Sequence, residues 1–285
     1  MDAVGPGKTA VITGGAAGIG LAAAQRFAAL GMNIAIADLG QDRLDAAAAT
    51  MPGTQMLTAH VDVSDRNAVQ AFEAEVTARF GGTDVLMCNA GIQGGSTMLD
   101  PTGWAEVMAV NLWGIIHGCQ VFVPGMIARG QPGIIINTGS KQGITTPPGD
   151  PAYNMAKAGV KVFTESLEHD LRTRPGARIS AHLLIPGFVW TGLTRGTRTD
   201  KPDAAWTAEQ TANFMLQSLA KGDFYILCPD NDVPRALDEK RIHWAAHDII
   251  ENRPPLSRWH KDHAQAFRDF AVLPDPGQVS ATVEL

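Results

Sequence analysis

Tyr153 and Lys157 stand four residues apart in a run, residues 152–172, that reads as a helix. Side chains at i and i+4 share one helix face, about one turn apart. That spacing sets an ammonium beside a phenol. A nearby positive charge favours the phenolate and lowers its pKa. A phenol that ionises nearer neutral pH is a usable general base. A packing tyrosine beside a solvated lysine has the same spacing, so the pair gains meaning only from its surroundings. A second set of candidates is His243 and His247 in HWAAH, followed by His260 and His263. Two histidines four apart on a helix could share a metal ion, but no carboxylate has a matching spacing, and no metal is expected. His117 reads as a core or interface histidine.

The first forty residues offer a place for a second reactant. Residues 8–13 (KTAVIT) form a short apolar run that breaks into Gly14-Gly15-Ala16-Ala17-Gly18-Ile19-Gly20. Residues 21–30 (LAAAQRFAAL) are strong helix formers, with Gly31 placed as C-cap. Residues 33–37 (NIAIA) read as a buried strand ending at Asp38. Glycines in such a turn let the backbone approach a pyrophosphate, and the helix N-terminus supplies N–H groups and a positive dipole end. An acid ending the second strand accepts hydrogen bonds from a ribose 2′-hydroxyl and repels a 2′-phosphate. Leu39 follows Asp38, and Ala16 and Ala17 stand where a basic residue would favour the phosphate. The expected cofactor is NAD, with NADP the weaker fit. Arg43, the one nearby cation, reads as a solvated helix residue.

The alternation continues, with helices over residues 41–50, 66–80, 104–128, 152–172 and 207–221. Strands follow over residues 55–61, 84–88, 133–138, 178–185 and 223–227. Thr207 is a candidate N-cap and Gly222 a C′ residue for the helix between them. Seven strands alternating with helices predict an α/β fold: a single doubly wound Rossmann-type domain, its seven-stranded parallel sheet covered by helices on both faces. Ligands in such sheets bind outside the carboxyl ends of the strands. Gly14, Asp38, Asp62, Asn89, Ser140 and Pro186 all lie at or just beyond such an end, and Asn111 and the Tyr153–Lys157 pair lie on helices beside them.

The bulk composition agrees. A chain of 285 residues, 45% hydrophobic and 18% charged, can bury a substantial core. A formal net charge of −6 and the lack of a Lys/Arg block argue against a nucleic-acid partner. The start MDAVG has neither a basic nor an apolar signal region, and no apolar run approaches membrane-spanning length, so no membrane association is expected. Cys88, Cys119 and Cys228, with no CxxC, fit reduced thiols in a cytoplasmic protein.

Together these residues resemble the short-chain dehydrogenase/reductase family. Thr13-Gly14-x-x-x-Gly18-x-Gly20 matches its cofactor fingerprint, and Asp62, in Val-Asp-Val, is similar to its adenine contact. Asn89-Ala90-Gly91 matches the end of its strand-four motif, with Cys88 where many members carry another Asn. Asn111, Ser140, Tyr153 and Lys157 match its catalytic four in order and spacing, and Pro186-Gly187-x-x-x-Thr191 matches its nicotinamide segment. The resemblance covers roughly residues 8–228. It implies cofactor contacts at Gly14, Ala17, Gly18, Ile19, Gly20, Asp38, Leu39, Asp62, Val63, Asn89, Ala90, Gly91, Tyr153, Lys157, Pro186, Gly187, Val189 and Thr191. It also implies the reaction, in which a secondary alcohol and a ketone are interconverted by hydride exchange with the nicotinamide. Tyr153 takes or returns the hydroxyl proton, Lys157 keeps the phenol acidic and holds the nicotinamide ribose, and Ser140 bonds the substrate oxygen. Asn111 is expected to hold a water that relays protons from Lys157. The family commonly forms homotetramers through the Asn111 and Tyr153 helices. Here Ile115, Ile116 and Val121 on one, and Val160 and Phe163 on the other, supply apolar faces for a tetramer or dimer.

The substrate pocket is expected to draw on residues 93–97, 141–150 and 188–206, with Gln93, Gln142, Phe188 and Trp190 lining it. Phe188 and Trp190 point to a bulky apolar or aromatic substrate. Residues 192–200 (GLTRGTRTD) have the composition of a mobile lid, on which Arg195 and Arg198 read as solvated charges. Residues 229–285 form a helical C-terminal extension with amphipathic runs over 233–251 and 256–270, placed to close over the pocket or to pack on a neighbouring subunit. It is faintly similar to the tails of bacterial members that oxidise bulky aryl alcohols, such as Cα-dehydrogenases. Two other readings compete. An NADP-linked biosynthetic ketoreductase is opposed by Asp38, and a non-catalytic NAD-binding sensor is opposed by Ser140, Tyr153 and Lys157.

Overall fold

The apolar run before the first glycines becomes β1 (Thr9–Thr13), buried along its whole length. The structure, a computed structural model, describes residues 1–273. The other strands are β2 (Asn33–Asp38), β3 (Met56–His60), β4 (Val85–Cys88), β5 (Gly133–Thr138), β6 (Ile179–Ile185), β7 (Val189–Trp190), β8 (Trp206–Thr207) and β9 (Tyr225–Leu227). Seven of them form one sheet in the order β3-β2-β1-β4-β5-β6-β9, every pair parallel. β5 is buried at every position, as its continuous apolar run GIIINT requires of a strand covered on both faces. Strand order reverses between β1 and β4, and this switch point opens a crevice at their carboxyl ends. The two remaining strands pair with each other, Val189 with Trp206 and Trp190 with Thr207.

Crossovers between the parallel strands carry the helices. They are α1 (Gly18–Ala29), α2 (Gln41–Ala49), α3 (Arg66–Phe80), α4 (Trp104–Met108), α5 (Gly114–Arg129), α6 (Gln142–Thr145), α7 (Pro151–Thr173), α8 (Gly192–Arg195) and α9 (Ala208–Lys221). Their ends follow side-chain chemistry. Asp65 accepts from Asn67 N–H at the start of α3, and Thr207 and Gln210 form a reciprocal capping box on α9. Gly81 and Gly222 end α3 and α9 in the left-handed conformation. α8 occupies the front of the stretch expected to be a lid. A capping box between Thr191 and Thr194 forms there, a local bond pattern that a composition reading overlooks.

One helical run departs from expectation in two ways. Between α4 and α5 it loosens into a π-helical turn, Ala109–Trp113, which carries Asn111. The whole run, Trp104–Arg129, is also long and apolar enough to cross a bilayer, which corrects the statement that no such run exists. It serves as a core helix. Ile115, Cys119, Phe122 and Met126 are buried, and Phe122 meets Phe72 of α3 edge-on at 5.9 Å. A buried Phe contributes roughly 2–3 kcal/mol, so this face is committed to the sheet layer. Of the residues expected on an intersubunit face, Ile115 and Val160 are instead spent inside the protomer, while Ile116, Val121 and Phe163 are half-buried; the exposed apolar side chains on these helices are others, Trp113, Met155 and Val162.

The chain divides into two compact units, Met1–Asp232 and the segment from Val233 onward. In the second, α10 (Arg235–Ile250), a 3-10 turn (Ser257–Trp259) and α11 (Ala264–Val272) gather around Trp244. Its ring lies 5.4 Å from Phe267 and 5.5 Å from Phe270, with the Arg253 guanidinium 4.0 Å above it. The indole N–H donates to Ser257 Oγ at 2.8 Å. The expected run over 256–270 is thus two short pieces, and its start follows Pro254-Pro255 with Leu256 in the left-handed region (φ 56°). Residues 274–285 of the expected extension lie outside the described residues. The His243 and His247 rings stack at 6.1 Å, and His247 bonds Glu251 at 2.7 Å, an i+4 carboxylate that the spacing argument overlooked. Among the described residues no group of three or more His, Cys, Asp or Glu is placed to hold a metal ion.

Candidate active site

The Gly-rich turn is tight because its glycines adopt conformations and approaches that a side chain forbids. Gly14 and Gly18 have φ of +63° and +53°. A Cβ on Gly14 would lie 2.8 Å from Ala90 Cα, and one on Gly20 would overlap the Gly14 carbonyl oxygen. Asn89, just past β4, ties this turn to its neighbours. Its N–H donates to Thr13 Oγ1 (3.0 Å) and its amide Nδ2 to Gly14 O (3.2 Å), while its Oδ1 accepts from Thr138 Oγ1 (3.2 Å). At the end of β2 the Asp38 carboxylate accepts from Leu39 N–H (2.8 Å) and Ala16 N–H (3.3 Å). Arg43 also donates to it at 2.7 Å. Arg43 is therefore not simply a solvated helix residue: it folds over Gly40 onto the acid.

The Tyr153–Lys157 pair sits where α7 begins. Pro151 occupies the first turn, and Asp150 caps it by accepting from Tyr153 N–H. Asp150 also accepts from Ser96 Oγ (2.5 Å), fastening the loop after β4 to this helix. Ala152, Tyr153, Ala156, Lys157 and Val160 form the buried face of the helix. Lys157 is 3% exposed, and its ammonium donates to Thr138 O at 2.8 Å and stands 5.7 Å from the Tyr153 ring centroid.

Burial rather than pairing dominates the titration of both groups. Desolvation pulls Lys157 from 10.5 down to about 8. Desolvation also pushes the Tyr153 phenol above its ordinary value; a hydrogen bond from Ser140 opposes this, and the Asp150 carboxylate adds to it. The net shift of the phenol is thus upward, where the pairing with Lys157 alone leads one to expect a downward one.

Asn111 is fully buried in the π-helical turn. Its Oδ1 accepts from Ile92 N–H (2.7 Å) and its Nδ2 donates to Ile92 O (2.8 Å). This pairing shows the side chain splinting the strand-four loop. Ile92, so held, forms a wall of a cleft of about 550 Å³ that runs from Asp38 to Ser140, Tyr153 and Lys157.

A family model described as short chain dehydrogenase matches residues 8–202. The chain belongs to the short-chain dehydrogenase/reductase family. It is similar to 2-(R)-hydroxypropyl-CoM dehydrogenase of Xanthobacter autotrophicus, 35% identical over 69% of this chain and 80% of that one. Among solved structures it resembles a short-chain dehydrogenase/reductase from Burkholderia phymatum in complex with NAD (TM-score 0.79, 29% identity, 90% of this chain and 98% of that one). It also resembles an alcohol dehydrogenase from the archaeon Thermococcus sibiricus complexed with 5-hydroxy-NADP (TM-score 0.67, 27% identity, 75% and 90%). As a short-chain dehydrogenase/reductase the protein is an oxidoreductase of CH–OH groups that uses a nicotinamide cofactor.

The cleft of this short-chain dehydrogenase/reductase gathers most of the residues singled out in the sequence. Gly14, Ala17, Gly18, Ile19, Asp38, Leu39, Val63, Asn89, Ala90, Gly91, Pro186, Gly187, Val189 and Thr191 line it with Ser140, Tyr153 and Lys157. Gly20, Asp62 and Asn111 lie behind or beside its walls. Gly20 is packed on Gly14, and Asp62 accepts from Ser64 N–H (2.9 Å) and Oγ (2.7 Å). The four substrate candidates also stand outside these walls: Gln93 is exposed, Gln142 begins α6, Phe188 lies 5.8 Å from the Arg198 guanidinium, and Trp190 is in β7. The walls instead include Ile92, Thr138, Leu193, Thr194 and Arg43. Ile92 adjoins the Asn89-Ala90-Gly91 motif, a signal that reading one residue further would have used. Leu193 and Thr194 enter only because α8 turns the chain back onto the cleft.

Proposed function

We propose that this enzyme interconverts a secondary alcohol and its ketone with NAD, and that its substrate is bulky and apolar or aromatic. One observation carries the reading. Ser140, Tyr153 and Lys157 open onto the same cleft whose other end holds the Gly14–Ile19 turn and the Asp38 carboxylate. The residues fit a dinucleotide. The positions where side chains would intrude are glycines, leaving bare backbone for a pyrophosphate, and an acid stands where a ribose diol is bonded. Arg43 is engaged by that acid, which supports NAD over NADP. Ile92, Val189 and Leu193 give the walls apolar character, which supports an apolar substrate.

When bound, the nicotinamide supplies hydride transfer. The chain's own groups handle the proton and the developing charge. Tyr153 Oη gives its proton to the substrate oxygen in reduction and takes it back in oxidation. Ser140 donates to Tyr153 and stabilises charge on the same substrate oxygen. Lys157, fixed by Thr138 O, offers its remaining N–H donors to ribose hydroxyls. Asn111 keeps Ile92 and the loop wall in place. Exposed Trp113, Met155 and Val162 support a homo-oligomer, and the three buried free thiols support a cytoplasmic setting.

The test is NADH formation by purified enzyme across aliphatic, alicyclic and aryl secondary alcohols, sugars and hydroxysteroids, repeated with NADP. Rate concentrated on aryl or bulky alicyclic alcohols with NAD is expected. Tyr153→Phe should lose turnover by at least about a hundredfold, the scale of a general acid/base, and keep its NAD affinity. Substantial activity in that variant would sink the assignment, and equal efficiency with NADP would sink the cofactor choice.

A further inference from the structure

Ser140 is followed by a lysine whose place in the fold the reaction scheme leaves unused. Lys141 Nζ stands 3.2 Å from Asp230 Oδ2, with side-chain exposures of 14% and 7%. The same carboxylate oxygen accepts from Phe188 N–H at 3.2 Å. Lys141 N–H in turn donates to Pro186 O at 3.2 Å. Three segments that follow β5, β6 and β9 therefore meet at one carboxylate. They meet directly against Gly187: a Cβ there would overlap Asp230 Oδ2 and come within 2.8 Å of Lys141 Nζ. Gly187 and Ser140 are both walls of the cleft. The pair thus ties the backbone carrying the Ser140 hydroxyl to the Pro186–Gly187 wall.

An ion pair taken out of water is a poor source of stability, because desolvation offsets most of the attraction, and apolar replacements of similar volume are often neutral. Its distinctive contribution is fixed direction and length. From this, and resting on the proposed reading of the cleft, we infer that Lys141 and Asp230 are positioning residues that set the Ser140 hydroxyl against the Pro186–Gly187 wall. They do not touch the reacting atoms. A displacement of about 1 Å in such a frame can cost on the order of a hundredfold in rate.

The experiment compares wild type, the apolar double variant Lys141→Met/Asp230→Leu, and Asp230→Asn, with Tyr153→Phe as the inactive reference. For each, kcat and KM are measured on the best alcohol of the panel, NAD affinity by tryptophan fluorescence, and unfolding in urea. In the double variant kcat should fall roughly 10- to 100-fold, while KM and NAD affinity stay within about threefold and the unfolding midpoint drops only by the loss of the Phe188 N–H acceptor. Asp230→Asn keeps an acceptor for Phe188 N–H and weakens only the charge, so its kcat should fall by a smaller factor. It decides the matter if the double variant does not fold. Wild-type kcat in a folded double variant, or in Asp230→Asn if that is the folded one, would overturn the inference alone. So would a loss of kcat matched by equal losses of NAD affinity or stability. A wild-type enzyme inert on the whole panel, or an active Tyr153→Phe, would overturn the reading of the cleft and this inference with it.

Discussion

Replacing Lys157 with methionine should leave the protein at least as stable near neutral pH while abolishing its turnover. The argument runs from burial. Lys157 is 3% exposed and its proton affinity drops from 10.5 to about 8 because the charged form loses its water. At about 1.4 kcal/mol per tenfold change, holding the ammonium inside costs the native state roughly 3 kcal/mol near pH 7. Methionine has nearly the same shape and removes that cost, but it strips Thr138 O of its donor, a loss of about 1–3 kcal/mol. The net gain in stability is therefore between about 0 and 2 kcal/mol. The pH dependence carries a cleaner signature. The folded pKa lies below the unfolded one, so the wild type is at full strength above the unfolded value and loses stability as pH falls through the window from 10.5 to about 8. The gap between variant and wild type should shrink by roughly 2 kcal/mol on going from near pH 7 to about pH 9.5. The Thr138 term is present at both pH values and cancels. Urea unfolding of both proteins at the two pH values measures this, and NADH formation at saturating alcohol measures turnover. A gap that does not change with pH, or a variant markedly less stable near neutrality, would refute the claim that desolvation rules this site.

Other outcomes are equally open to measurement. Gly20→Ala should destabilise the fold by about 1–3 kcal/mol, the range for overpacking, and weaken NAD binding at least severalfold, because the new Cβ overlaps Gly14 O; urea unfolding and fluorescence titration check both. His182 is held neutral, with Nδ1–H donating to Asp223 O and Nε2 accepting from Ser180 Oγ, both at 2.8 Å. Burial lowers its pKa from 6.5, so stability is full above that value and falls as the medium is acidified through it; His182→Gln should flatten the drop in urea midpoint on acidification below the unfolded value. Thr207→Ala removes one half of the capping box on α9 and should cost about 1 kcal/mol of stability without changing kcat.

The sequence determined what depends on near neighbours along the chain. Apolar runs ending in glycine or acid gave the seven strands, and parallel strands with helical crossovers leave few topologies to choose from. The four-residue spacing put Tyr153 and Lys157 on one helix face, and the glycines at 14, 18 and 20 implied a turn with no room for side chains. Tertiary structure decided whatever depends on distance between remote segments. Whether Arg43 met solvent or Asp38 depended on how α2 folds back on β2. The direction of the Tyr153 shift depended on how completely α4 and α7 bury the phenol, since the cost of removing water is its largest cause. That Asn111 braces Ile92, and that Lys141 meets Asp230 from 89 residues away, follows only once the strand ends converge. Local sequence sets conformation through propensity and period, but desolvation and ion pairing are set by what the completed fold brings alongside.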